Sequence, residues 1–294
     1  MSNSWGERME AFVQSKREDT AKEPSLFLLP EWMEADKRLT AGFTGRGGGV
    51  SAEPWTGLNI GLHVGDDEEA VILNRKRVTE ALGWPFEAWT CTEQVHGSRV
   101  AQVTLAERGK GRERMDDTIA GCDALMTDVP GVLLTSFYAD CVPLYFYAPE
   151  AGAVALAHAG WRGTVGGIAA RTAEAMASAY GVRPDQILAA IGPSIGDCCY
   201  EVDGLVVTEV DRVMDELKLP EGERESCMQR KKNGKASLNL KELNRQIMIK
   251  AGILPSRIEL TTWCTGCRTD LFYSYRVEGG KTGRMASWIG LQER

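Results

Sequence analysis

The stretch Val132-Leu133-Leu134-Thr135-Ser136-Phe137-Tyr138-Ala139-Asp140-Cys141-Val142-Pro143-Leu144-Tyr145-Phe146-Tyr147 carries two apolar runs, broken by a short polar turn at Asp140. β-Branched and aromatic residues dominate both, so Val132–Tyr138 and Leu144–Tyr147 read as strands. Outward from them, Val154–Ala157, Ala124–Thr127, Arg99–Thr104, Ala88–Thr92 and Leu26–Leu29 read the same way, as do Ile187–Ile191, Ile258–Thr262 and Met285–Leu291. Helical periodicity marks a segment beginning near Asp67, with Asp66 as its cap, Glu69 completing a capping box, and Gly83 and Pro85 as its stop. Further helices are predicted over Gly166–Tyr180, Leu205–Leu217 and Leu240–Ala251. Strands cluster without steady βα alternation, which favours an α+β fold: a single domain of packed mixed β-sheets flanked by helices. We expect that domain to span 25–294, after a loose polar lead-in over 1–24. Glu107–Asp117 is expected to be an exposed loop.

Of the 294 residues, 43% are hydrophobic and 26% charged, which suits an enzyme with an ordinary core. The net charge of −7 repels phosphate backbones, so no nucleic acid and no anionic membrane surface is expected as a partner. No apolar run reaches the roughly 20 residues of a membrane helix. The start lacks the apolar stretch of a secretory signal, so we expect a cytoplasmic protein. Eight cysteines in that compartment are expected to be reduced thiols rather than disulfides.

Only three histidines occur. His96 lies between two predicted strands, His158 follows the apolar run Val154–Ala157, and Cys141 sits just after Tyr138. Three side chains at strand ends can converge on one point. Two imidazoles and a thiolate suit Zn²⁺, whose fourth position would stay open for water or substrate. The same residues also allow a metal-free nucleophile–base pair of Cys141 and His158, with Asp140 orienting the histidine. A third reading is a non-catalytic metal-binding protein, and each residue also has an ordinary structural use in a core.

These motifs resemble the bacterial YfiH/YlmD family: Gln94–Gly97, Ala139-Asp140-Cys141-Val142-Pro143 and Ala157-His158-Ala159-Gly160-Trp161-Arg162-Gly163. So do Gly48–Ser51, Leu58–Gly61, His63–Asp67, Ile191–Gly196, Cys199–Val202 and Thr282–Arg284, in order along nearly the whole chain. The resemblance implies a fold like that of a toxin glutamine deamidase, and metal ligands at His96, Cys141 and His158. It implies phosphorolysis of adenosine, inosine and methylthioadenosine, and deamination of adenosine, with purine nucleosides and phosphate as the partners. The family has also been called polyphenol oxidoreductases or laccases.

Three histidines cannot build the several copper sites of a multicopper oxidase, although one His₂Cys site can take Cu²⁺ in place of Zn²⁺. Deamination needs a carboxylate to move protons, for which Asp140 is the first candidate and Glu93 the second. For phosphate, the candidates are Arg162, Arg276 and Arg284, with N–H groups of the Gly160–Gly167 turn. Ser51 and Asn59 are candidates for ribose or base, and Trp161 or Tyr138 for stacking on a purine. Cys264-Thr265-Gly266-Cys267 lacks a second ligand pair at zinc-ribbon spacing, which argues against a structural zinc site. Cys198 and Cys199 read as packing residues.

Overall fold

The computed structural model describes residues 10–15 and 23–293. In chain order the strands are β1 (Val13–Gln14), β2 (Leu26–Leu28), β3 (Leu39–Thr44), β4 (Trp89–Cys91), β5 (Val100–Gln102), β6 (Ala124–Thr127), β7 (Leu133–Tyr138) and β8 (Val142–Ala148). They continue with β9 (Ala153–Ala159), β10 (Leu188–Ile191), β11 (Glu201–Val202), β12 (Met228–Arg230), β13 (Ala236–Leu238), β14 (Ile258–Leu260) and β15 (Met285–Leu291). The helices are α1 (Pro30–Ala35), α2 (Glu68–Ala81), α3 (Trp161–Val165), α4 (Ile168–Tyr180), α5 (Gly204–Glu216), α6 (Glu221–Cys227) and α7 (Leu240–Lys250).

Two six-stranded mixed sheets run β1-β2-β3-β15-β7-β4 and β14-β10-β8-β9-β6-β5, beside a small sheet β11-β13-β12. Alternation along β8 shows how they stack. Leu144 and Phe146 join a core with Ile168, Ala169, Ala173 and Met176 of α4 and with α5 and α7. Tyr145 and Tyr147 face the other way, packing with Phe43, Leu134 and Ile289 of the first sheet. The outer face of that sheet, with Leu133, Phe137 and Trp288, packs against Val78 of α2 and against Trp84. Successive strand residues point to opposite faces, so strands buried on both faces appear as unbroken apolar runs. The result is an α+β molecule of helices, sheet, sheet and helix in layers.

Most predicted elements are present, with informative departures. The helix predicted over Gly166–Tyr180 is α4, which starts at Ile168 because Gly167 adopts a left-handed φ of 76°; the short helix α3 just before it went unpredicted. Asp67, not Asp66, caps α2, its side chain accepting from the Ala70 N–H at 2.8 Å. Asp66 instead accepts from the Asn59 amide at 2.8 Å. Strand β9 runs to Ala159, so His158 lies within the strand, paired with Pro143, rather than beyond its end. β3 and the small sheet went unpredicted, being short or interrupted by polar residues. Part of the lead-in is also better anchored than expected. Phe12 is fully buried and β1 pairs with β2, while residues 1–9 and 16–22 lie outside the described residues.

Candidate active site

Strand β7 ends at Tyr138, the chain turns at Ala139–Asp140, and β8 leaves from Val142, which fixes Cys141 at the turn. His158 is brought alongside by the β8–β9 pairing. It is 2% exposed and its ring centroid stands 5.4 Å from that of Tyr138. His96 comes from the loop between β4 and β5, with its ring centroid 4.8 Å from that of His158 at 84°. Ligand-capable atoms of His96, Cys141 and His158 all lie within 4.8 Å of one another.

The backbone around them is strained and held. Gln94, His96 and Asp140 are non-glycine residues with left-handed φ values of 59°, 59° and 88°, a conformation that persists only where its surroundings enforce it. The Gln94 amide brackets Phe137, donating to its carbonyl at 2.8 Å and accepting from its N–H at 2.7 Å. Asp123, which the sequence reading missed, performs three tasks. Its carboxylate accepts from the backbone N–H of His96 at 2.9 Å and of Gly97 at 2.7 Å, and from His158 Nδ1 at 2.9 Å. His158 Nε2 is therefore the ring nitrogen left for a ligand, the usual carboxylate–histidine–metal arrangement. Asp123 is the polar residue immediately before strand β6; nothing local pairs it with His158 until β6 and β9 come together.

Burial pushes the Cys141 thiol up, but the imidazoles of His158 and His96 outweigh it and bring the thiol down to about 6. Burial lowers His158, yet the Cys141 thiolate and Asp123 raise it to about 9. Two imidazoles and an easily formed thiolate are a borderline-soft set suited to zinc or copper. Gly160 leaves the space clear: a Cβ there would stand 3.1 Å from both Cys141 Sγ and His96 Cδ2.

These residues sit in a cavity of about 670 Å³, also lined by His63, Glu93, Trp161, Arg162, Tyr200, Tyr275, Arg276 and Arg284. That volume lies in the range of small-molecule sites. Arg162 is exposed and stacks on Trp161 with its guanidinium carbon 4.4 Å from the ring centroid. Arg276 lies over Tyr200 and donates one bond to the Glu201 carbonyl at 2.7 Å. Arg284 is half-buried and donates to the carbonyls of Thr282 and Gly283 at 2.9 and 3.0 Å. In the Gly160–Gly167 turn, the N–H groups of Thr164, Gly166 and Gly167 are already bonded within the turn.

Four expectations need correction. Asp140 is no free proton carrier: its oxygens accept from Thr265 Oγ1 at 2.6 Å, Ser274 Oγ at 3.1 Å and the Arg276 N–H at 2.8 Å. A buried carboxylate whose oxygens are taken up by three donors serves to anchor the loops that supply them. Ser51 and Asn59 do not line the cavity. Ser51 accepts from Asn74 at 3.0 Å, and Asn59, fully buried, accepts from the N–H groups of Gly61 and Arg284 at 3.1 and 2.8 Å. Tyr138 is core, 1% exposed, with no face open to a purine. Finally, Cys264 and Cys267 do have a second pair beside them, the turn bearing Cys198 and Cys199, with all four sulfurs within 4.8 Å of one another.

The family model described as "Multi-copper polyphenol oxidoreductase laccase" matches residues 40–292. A protein of Geobacillus stearothermophilus, "Purine nucleoside phosphorylase YlmD", is 46% identical over 255 residues, 86% of this chain and 90% of its own. A "Purine nucleoside phosphorylase" of Deinococcus radiodurans is 39% identical over 254 residues, 86% of this chain and 89% of its own. The crystal structure of YlmD from Geobacillus stearothermophilus superposes with a TM-score of 0.87 at 40% identity, covering 96% of this chain and all of that one. The YfiH structure from Bacillus licheniformis superposes with a TM-score of 0.85 at 41% identity, covering 94% of this chain and 98% of that one.

Proposed function

The chain belongs to the YfiH/YlmD family, and from that premise we propose that it is a zinc-dependent purine nucleoside phosphorylase. It acts on adenosine, inosine and methylthioadenosine, and also deaminates adenosine. The observation that carries this reading is the convergence of His96, Cys141 and His158 in a cavity with three cationic side chains, Arg162, Arg276 and Arg284, on its wall. Near relatives named purine nucleoside phosphorylase support the phosphorolytic half.

His96, Cys141 and His158 would hold the metal, which when bound supplies a Lewis acid next to the substrate. The chain's own residues do the rest. Asp123 keeps His158 in one tautomer and pins the His96 loop. The arginines hold phosphate through charge-assisted bonds; Arg276 and Arg284 have part of their donor capacity committed to carbonyls that fix their aim. Trp161 and Tyr275 offer aromatic faces for the purine, Tyr275 being 54% exposed. Glu93 is the cavity carboxylate left to exchange protons, since Asp140 is saturated; one of its oxygens accepts from the Gly121 N–H at 2.8 Å. A copper polyphenol oxidase fits less well, because two of only three histidines are already spent on one site.

The test is hypoxanthine release from inosine, with and without phosphate, by zinc-loaded wild type and Cys141→Ala, with metal content read on the same samples. Phosphate-dependent release that is lost in the variant supports the proposal. No release from the metal-replete wild type would overturn it and favour a Cys141–His158 hydrolase. Ammonia release from adenosine tests the deaminase half separately.

A further inference from the structure

Away from that cavity, the turns that follow the adjacent parallel strands β10 and β14 face each other. Each carries two cysteines. Cys198 Sγ stands 3.6 Å from Cys264 Sγ and 3.4 Å from Cys267 Sγ, and Cys199 Sγ stands 3.4 Å from Cys267 Sγ. A disulfide would require about 2.05 Å, and all four are free thiols. Four thiolates around one zinc, at about 2.3 Å each, stand about 3.8 Å apart. The sulfurs are thus packed at coordination spacing, not at bonding spacing.

The surrounding backbone is shaped to this cluster. A Cβ on Gly266 would fall 2.8 Å from Cys199 Cβ and 3.0 Å from its sulfur; one on Gly196 would fall 3.2 Å from Cys198 Sγ and 3.4 Å from Cys264 Sγ. Both glycines therefore permit an approach that any side chain would obstruct. The Gly196 N–H donates to Cys264 Sγ at 3.2 Å, as backbone N–H groups do to thiolates in sulfur-ligated metal sites. Lys241, only 7% exposed, donates to the Trp263 carbonyl at 2.9 Å beside Cys264, so a buried cation stands near the sulfurs.

We propose that Cys198, Cys199, Cys264 and Cys267 form a second, structural zinc site of the closed Cys₄ type. It ties together two turns whose cysteines run from the buried Cys264 to the exposed Cys198 and Cys267. Both turns lead to the cavity: Cys199 precedes Tyr200 on its wall, and Cys264 precedes Thr265, which donates to Asp140. The metal clamp braces that wall without touching substrate.

The test uses the full chain with the first site removed by His96→Ala/Cys141→Ala, purified from zinc-replete cells. We expect about one zinc per chain by elemental analysis, and an X-ray absorption spectrum of four sulfur ligands. Adding Cys267→Ser, an exposed position, should lower the zinc to a small fraction of one, with circular dichroism confirming that the chain is folded. Cobalt titration of the parent double variant should produce the intense thiolate-to-metal absorption of a tetrahedral sulfur site, a readout that alters none of the four cysteines. A double variant that holds no zinc and gives no such absorption would overturn the proposal. So would zinc ligated by nitrogen or oxygen, or a disulfide among these cysteines in the purified protein.

Discussion

Asp123 accepts a hydrogen bond from His158 Nδ1 at 2.9 Å while also accepting the backbone N–H groups of His96 and Gly97. One fully buried carboxylate thus sets the orientation of two of the three candidate ligands. Asp123→Asn is expected to weaken zinc binding by roughly 10–100-fold, because an amide can present its NH₂ to the imidazole and reverse the tautomer. Competition with a chromophoric chelator measures it. Unchanged affinity would show that His158 is oriented by its strand alone.

Gly160 offers a steric test. Its φ of −71° suits any residue, so Gly160→Ala adds no backbone strain, yet its methyl would press on Cys141 Sγ and His96 Cδ2 at 3.1 Å. A misplacement approaching 1 Å can cost on the order of 10²-fold in rate. We expect kcat/KM to fall towards that extent while the thermal midpoint stays near wild type. Full activity in the alanine variant would mean that the three residues do not act together.

The arginines separate phosphate from nucleoside. Arg162→Ala removes an exposed guanidinium and should raise the KM for phosphate by about tenfold, the worth of one charge-assisted hydrogen bond, with little change in the KM for inosine. An equal rise in both would assign Arg162 to packing against Trp161.

In metal-stripped protein, Cys141 alkylation by iodoacetamide should follow its thiolate. Because the thiol is held down to about 6, the rate should rise as pH climbs through about 6 and level off above it. An unperturbed cysteine would climb through about 8.5. Zinc should suppress the reaction. Peptide mapping by mass spectrometry distinguishes Cys141 from the other thiols, and a midpoint above 8 would contradict the charge arrangement described here.

Asn59→Ala is expected to destabilise the fold by about 1–3 kcal/mol, because it leaves the buried N–H groups of Gly61 and Arg284 without their acceptor. Denaturant unfolding measures it. A raised nucleoside KM at unchanged stability would instead return Asn59 to substrate binding.

By itself the sequence determined the strand-rich core, since Val142–Ala148 is free of charged residues throughout and Leu133–Tyr138 is broken only by Thr135 and Ser136, as in strands buried on both faces. It also determined that His96 and Cys141 fall in loops between strands, because residue type and local periodicity are properties of a short window. Tertiary structure alone decided which polar groups are free. Asp140, whose position beside Cys141 suggested a proton carrier, is saturated by Thr265, Ser274 and Arg276 from more than a hundred residues away. Asp123 becomes the partner of His158 only when β6 and β9 pair, and Cys198–Cys199 meets Cys264–Cys267 only because β10 and β14 lie side by side. Hydrogen bonding and ligand convergence depend on distances of about 3 Å between segments remote in the chain, and no local pattern carries that information.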